Sequence, residues 1–185
     1  MPTPESKVEF FRERLFSAED IRNRIHEIAL EIAQKYSGQR LLLVGVLKGG
    51  FMVTADLARE LHKAGLTDIE IDFVSLSSYG DATESNRSPH LLKDVDTNVL
   101  GRSVLLVEDI ADTGYSLAFL QAMFQSRGVT SLETFALLSK PSKHDVEFQI
   151  DYLGFTCDDW VEGFGIDTAQ TGRGNPDIVR VVKAL

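Results

Sequence analysis

The sequence predicts an α/β fold with a mostly parallel central sheet flanked by helices, on three observations. Val104-Leu105-Leu106-Val107 is a run of four aliphatics, the pattern of a strand buried on both faces. It passes at once into an acidic, glycine-containing turn and then an amphipathic run with Leu117, Leu120, Met123 and Phe124 at helical spacing. Arg40 to Leu47 repeats the arrangement, leading through Lys48-Gly49-Gly50 into a helix that runs to about His62. Strand–turn–helix units of this kind build parallel sheets, and such sheets bind ligands outside the carboxyl ends of their strands.

At 185 residues the chain fits one domain, 1–185, with a hydrophobic fraction of 43% and a charged fraction of 25% that are ordinary for a globular protein. A formal net charge of −9 argues against non-specific binding to nucleic acid or an anionic membrane. It leaves room for phosphate, because local N–H groups, a few basic residues and Mg²⁺ offset global charge. The lone Cys157 excludes an intramolecular disulfide and suits a reducing compartment. Met1 to Phe16 has no signal-peptide pattern, and the apolar run at Leu41 to Leu47 is too short to span a bilayer, so a cytoplasmic location is expected.

Taken in order, Ser17 with Glu19 and Asp20 opens a helix with a capping-box-like start. Ile21, Ile25, Ile28, Ala29 and Ile32 line its buried face, and Gly38 stops it. His26 sits on its flank without a second metal ligand at useful spacing. The Lys48-Gly49-Gly50 turn is no Walker A loop, since the lysine precedes the glycines. Asp68 to Ser77 alternates (Ile69, Ile71 and Phe73 against Glu70 and Asp72) and reads as a strand. Ser78 to Asn98 lacks periodicity, and a loop of that length in a compact domain is usually a lid or disordered. The helix from about Ser116 ends near Arg127-Gly128, and the strand Ser131 to Leu138 delivers Ser139-Lys140-Pro141 at its carboxyl end.

The central turn, Glu108-Asp109-Ile110-Ala111-Asp112-Thr113-Gly114-Tyr115-Ser116, has a chemical logic. Thr113 to Ser116 would offer successive backbone N–H groups and two hydroxyls at a helix start, a site for phosphate. Carboxylates beside such a site repel phosphate, so they must serve ribose hydroxyls, Mg²⁺ or a proton instead. The plainer alternative is a solvated loop in which Asp112 only caps the helix.

Four hydrophobics followed by Glu-Asp-x-x-Asp-Thr-Gly-x-Ser resemble the phosphoribosyl-pyrophosphate (PRPP) motif of the type I phosphoribosyltransferases, and the Glu-Asp pair resembles their hypoxanthine-guanine branch. The resemblance runs from about Ser17 to Val182. It implies the type I fold, with a core over about 17–140 and a small hood mainly over about 150–185, completed by a long flexible loop. It implies Mg²⁺-dependent transfer of the 5-phosphoribosyl group from PRPP to N9 of a 6-oxopurine, with pyrophosphate released.

Residue by residue, the resemblance gives Thr113, Gly114, Tyr115 and Ser116 the 5-phosphate, and Glu108 and Asp109 the ribose hydroxyls, partly through metal. Asp112 becomes the general base. Lys48 and Gly49, after a peptide that is often cis, and Arg173 contact pyrophosphate, while Asp167 helps position Mg²⁺. Lys140 donates to the purine 6-oxo group, Trp160 stacks on the base and Val161 reads its edge through the backbone. Ser78 and Tyr79 belong to the closing loop, and a homodimer or homotetramer is implied, without nucleic-acid or membrane partners. Asp167-Thr168-Ala169-Gln170-Thr171-Gly172-Arg173-Gly174 departs from the usual aromatic-rich pattern, and its glycines predict a looser segment around Arg173. The rivals are a xanthine-preferring transferase, an RNA-binding regulator on the same fold, which the acidic charge disfavours, and a PRPP sensor without turnover.

Overall fold

The structure, a computed structural model, describes residues 10–77 and 89–183. Ser78 and Tyr79 lie outside the described residues. The chain runs β1 (Phe10–Phe16), α1 (Ala18–Lys35), β2 (Leu41–Leu47), α2 (Phe51–Lys63), β3 (Ile69–Leu76), β4 (Leu91–Lys93), β5 (Ser103–Ala111), α3 (Tyr115–Ser126), β6 (Ser131–Ser139), a 3₁₀ turn (Pro141–Lys143), β7 (Tyr152–Thr156), β8 (Val161–Glu162) and β9 (Ile178–Lys183). Six strands form the central sheet in the order β4-β3-β2-β5-β6-β7, parallel except for β4. A second, antiparallel sheet in the order β1-β9-β8 forms the hood.

The aliphatic runs become central strands because helices cover both faces of the sheet. Leu41 and Leu43 of β2 pack with Ile21, Ile25, Leu57 and Leu61 of α1 and α2. The alternate residues Leu42, Val44 and Val46 pack on the other face with Leu120 and Phe124 of α3. In α1 the predicted stripe Ile21, Ile25, Ile28, Ala29 and Ile32 is buried, and Ser17 with Asp20 forms a full capping box. Isoleucine costs a helix a few tenths of a kcal/mol in propensity, whereas burying each such side chain contributes about 1.5–3 kcal/mol, so packing decides that α1 forms. His26 sits on its flank, with Nδ1 2.9 Å from Glu60 Oε2.

Three features differ from the sequence expectation. The stretch from 78 to 98 contains the short strand β4, whose three residues give no readable period; it pairs antiparallel with β3. β7 belongs to the central sheet, parallel to β6, so the hood begins nearer Trp160 than 150. Its attachment is fixed by Tyr152, whose hydroxyl donates to buried Glu133 at 2.9 Å. The hood also recruits β1 from the amino-terminal side of the chain, pairing Phe10 with Lys183 through to Phe16 with Ile178. Among the described residues no helix is long and apolar enough to cross a membrane.

Candidate active site

The carboxyl ends of β2, β3 and β5 open into one cleft, which Asp167 and Arg173 also line. β2 ends at Leu47, and the Leu47–Lys48 peptide is cis. Gly49 follows with its Cα pressed against β5: an added Cβ would lie 1.7 Å from Asp109 Oδ2, so any side chain there displaces the carboxylate. β5 carries Glu108 and Asp109 near its end, and Asp112 to Gly114 turn the chain into α3. Gly114 holds a left-handed conformation (φ +92°), and an added Cβ would lie 2.2 Å from the Phe148 ring.

The helix starts at this cleft differ from that of α1. Neither Gly50 before α2 nor Gly114 before α3 gives a side-chain cap, and neither helix has an acidic residue in its first turn. An N-terminus left uncapped in this way, with its dipole unopposed, is suited to an anion. The structural helix α1, by contrast, has both a capping box and acidic first-turn residues. The capping alternative for Asp112 therefore does not hold: no side chain caps α3.

One cavity gathers Lys48, Gly49, Glu108, Asp109, Asp112, Thr113, Gly114, Ser116, Asp167 and Arg173. Leu76 and Ser77 also line it, at the point where the chain leaves β3 toward residue 78. Glu108 and Asp109 are both buried at 6% exposure. Burial pushes Glu108 well above the usual carboxylate range, and the neighbouring Asp109 charge pushes it further. Burial also raises Asp109, opposed by its hydrogen bond with Glu108 and by the Arg173 charge. Such a pair favours a bound cation or hydroxyl donors over a second anion.

Arg173 is firmly held. Its guanidinium pairs with Asp167 and donates to the Gly165 carbonyl at 2.6 Å. In this segment Thr168 and Thr171 exchange two backbone hydrogen bonds at 3.0 Å around Ala169 and Gln170. Those two central residues have φ +50° and +68°, which closes a tight two-residue hairpin without glycine. Gln170 N–H then donates to Asp167 Oδ2 at 2.8 Å, fixing the carboxylate.

Lys140, Trp160 and Val161 are not among the residues that line this cavity. Lys140 is buried at 4% exposure, and its Nζ lies 4.0 Å from Asp112 Oδ2. Burial lowers its pKa, against the attraction of Asp112 and with help from the Lys143 charge. Val161 is 2% exposed and pairs with Arg180 of β9. Trp160 is 47% exposed, with the ring of Phe10 packed against it edge to face at 5.3 Å. Sequence reasoning missed Lys143, whose Nζ is 3.7 Å from Asp112 Oδ1. A signal was present in the prolyl turn Lys140-Pro141-Ser142-Lys143, which returns the second lysine to the side of the first.

Among the described residues no three His, Cys, Asp or Glu side chains converge on a common point. The donor set still fits a divalent cation that takes one or two carboxylates and completes its shell with substrate oxygens and water. Glu108, Asp109 and Asp167 supply such carboxylates in the one cavity.

Comparison with known proteins agrees with this geometry. The profile of the phosphoribosyl transferase domain matches residues 12–169. The chain is 39% identical to a hypoxanthine phosphoribosyltransferase of Salmonella typhimurium over 88% of this chain and 91% of the relative. It is 37% identical to a hypoxanthine-guanine phosphoribosyltransferase of Bacillus subtilis, over 89% of each. The crystal structure of a hypoxanthine-guanine phosphoribosyltransferase from Bacillus anthracis superposes with a TM-score of 0.84 at 36% identity, over 94% of this chain and 100% of that one. A hypoxanthine phosphoribosyl transferase of Trypanosoma cruzi gives 0.86 at 36% identity, over 98% and 95%. With its parallel sheet, its carboxyl-edge cleft and these relatives, the chain belongs to the phosphoribosyl transferase family.

Proposed function

We propose that the protein transfers the 5-phosphoribosyl group of PRPP to N9 of hypoxanthine or guanine in purine salvage, forming IMP or GMP and pyrophosphate. The observation that carries this reading is one cleft holding an uncapped helix start at Thr113–Ser116, the buried Glu108–Asp109 pair, and Asp112 within 4.0 Å of Lys140. The activities of the relatives named above support it.

In this reading Thr113, Gly114, Tyr115 and Ser116 hold the 5-phosphate, and Glu108 and Asp109 hold the ribose hydroxyls. Lys48, Gly49 and Arg173 hold the pyrophosphate. As the C1′–O bond to pyrophosphate breaks and the C1′–N9 bond forms, Asp112 takes the purine N7 proton. Lys140 donates to the 6-oxo oxygen; an ammonium has no acceptor, so a 6-amino group finds no partner there. Trp160 packs on the base, and the backbone at Val161 reads its edge. Ser78 and Tyr79 close over the reacting centre and exclude water. Glu108, Asp109 and Asp167 would hold Mg²⁺, which when bound neutralises developing charge on the leaving pyrophosphate. Exposed Phe51, directly after the Lys48–Gly50 turn, supports a homodimer or homotetramer with that turn near the interface. A cytoplasmic location accompanies this reading.

Pyrophosphate release with PRPP and Mg²⁺, measured against hypoxanthine, guanine, xanthine, adenine and uracil, tests it. Turnover is expected with hypoxanthine or guanine and not with adenine or uracil. Asp112→Asn should lower kcat by roughly a hundredfold or more, the usual contribution of a positioned base. Xanthine as the best substrate would reassign the specificity, and PRPP binding without turnover on any base would reduce the protein to a sensor.

A further inference from the structure

The turn that follows β6 is fastened to the chain on both sides of Asp112. Lys140 N–H donates to the carbonyl of Ala111 at 2.9 Å, and Asp145 N–H donates to that of Thr113 at 3.0 Å. Within the turn, Lys143 N–H donates to the Lys140 carbonyl at 2.9 Å. Ser142 N–H donates to Asp158 Oδ1 at 3.0 Å. These bonds present two ammonium groups to one carboxylate, Lys140 Nζ at 4.0 Å from Oδ2 and Lys143 Nζ at 3.7 Å from Oδ1. Oδ1 is buried and has no hydrogen-bond partner, so Lys143 is the cation that faces it.

Two like charges beside one carboxylate repel each other, and a lysine that only solubilised the surface would point away. The arrangement has a use if the two lysines divide the work. With Oδ1 compensated by Lys143, Asp112 is oriented with Oδ2 toward the substrate. Lys140 then need not serve as its sole counter-ion and is left free to turn its N–H donors toward an acceptor. Resting on the base reading of Asp112 above, we propose that Lys143 is a positioning residue that holds Asp112 in place and keeps Lys140 available to the 6-oxo group.

The experiment is steady-state kinetics of Lys143→Gln and Lys143→Arg, with hypoxanthine and with adenine, each also made in the Asp112→Asn background. Lys143→Gln is expected to lower kcat by roughly three- to tenfold, the scale of a partly exposed ion pair. KM for PRPP should be unchanged, and Lys143→Arg should restore most of the rate. In Asp112→Asn the further loss from Lys143→Gln should vanish, since coupled residues do not add. Thermal unfolding should not change, because Lys143 is half-exposed. A raised KM for PRPP with intact kcat would overturn the proposal and make Lys143 a phosphate contact. An equal loss in both backgrounds would overturn it while leaving Asp112 as base. An Asp112→Asn enzyme with the unsubstituted rate would instead sink the base reading.

Discussion

At the scale of single residues, the cleft places function against stability. Glu108 and Asp109 sit side by side and buried, and both are easier to protonate in the fold than in the unfolded chain. The folded state therefore holds extra protons above the ordinary carboxylate range near about 4, and stability falls as pH rises through that window toward the raised values. Glu108→Gln removes a charge from the pair without changing its shape. It is expected to raise the melting temperature of the unliganded protein by a few degrees, about 2–4 °C per kcal/mol for a chain of this size. The advantage should widen between about pH 5 and about pH 8, which thermal unfolding at both values checks. The same substitution should weaken stabilisation by PRPP. The residues of the PRPP motif could be read from sequence because a strand, a turn and a helix start are contiguous there. Lys143 could not, because its partner lies 31 positions earlier and is brought near by the pairing of β5 with β6 and by the two hydrogen bonds that extend it.

At the scale of elements, the long periodic runs announced themselves and the short or remote ones did not. β2, β5 and α1 have strong apolar patterns that packing on both sheet faces enforces. β1 reads Phe-Phe-Arg-Glu-Arg-Leu-Phe, without a clean alternation, and its partner β9 lies far along the chain. One consequence of that pairing was equally hidden: Glu162 of β8 is buried, with Oε1 paired to Arg12 of β1 and Oε2 without a hydrogen bond. Arg12→Ala would leave this carboxylate uncompensated. Since Arg12 is half-exposed, the expected loss is about 1–2 kcal/mol rather than the larger value of a fully buried pair. Adding Glu162→Gln to Arg12→Ala should recover most of it, as a chemical denaturation series of the single and double variants would show. The hairpin around Ala169 and Gln170 is the converse case. Composition suggested slack, whereas two non-glycine residues at positive φ close a tight turn whose Gln170 N–H donates to Asp167.

At the scale of the whole molecule, charge governs how the substrate enters. The chain has a net charge of −9, and four carboxylates, those of Glu108, Asp109, Asp112 and Asp167, line the cleft. Uncapped helix starts, Lys48 and Arg173 favour the phosphates locally, but the field around them is negative. PRPP is therefore expected to stabilise the protein only with a divalent cation present. At a hundredfold excess over Kd the shift should be about 2.7 kcal/mol, or roughly 5–10 °C in melting temperature. A chelator should abolish that shift without altering the melting of the protein alone. A PRPP-induced shift that survives chelation would show that Arg173, Lys48 and the helix starts suffice.

The union of β1 with β9 also orders events in time. During synthesis β1 emerges before every other described element, yet its pairing partner begins at Ile178, in the last of the described strands. At typical elongation rates of about 5–20 residues per second, β1 waits on the order of ten seconds or more with Phe10, Phe11 and Phe16 unpaired. The strands and helices that line the cleft leave the ribosome during that interval. The nascent chain thus acquires the segments that line the cleft before it can close the β1-β9-β8 sheet, whose β8 directly follows Trp160.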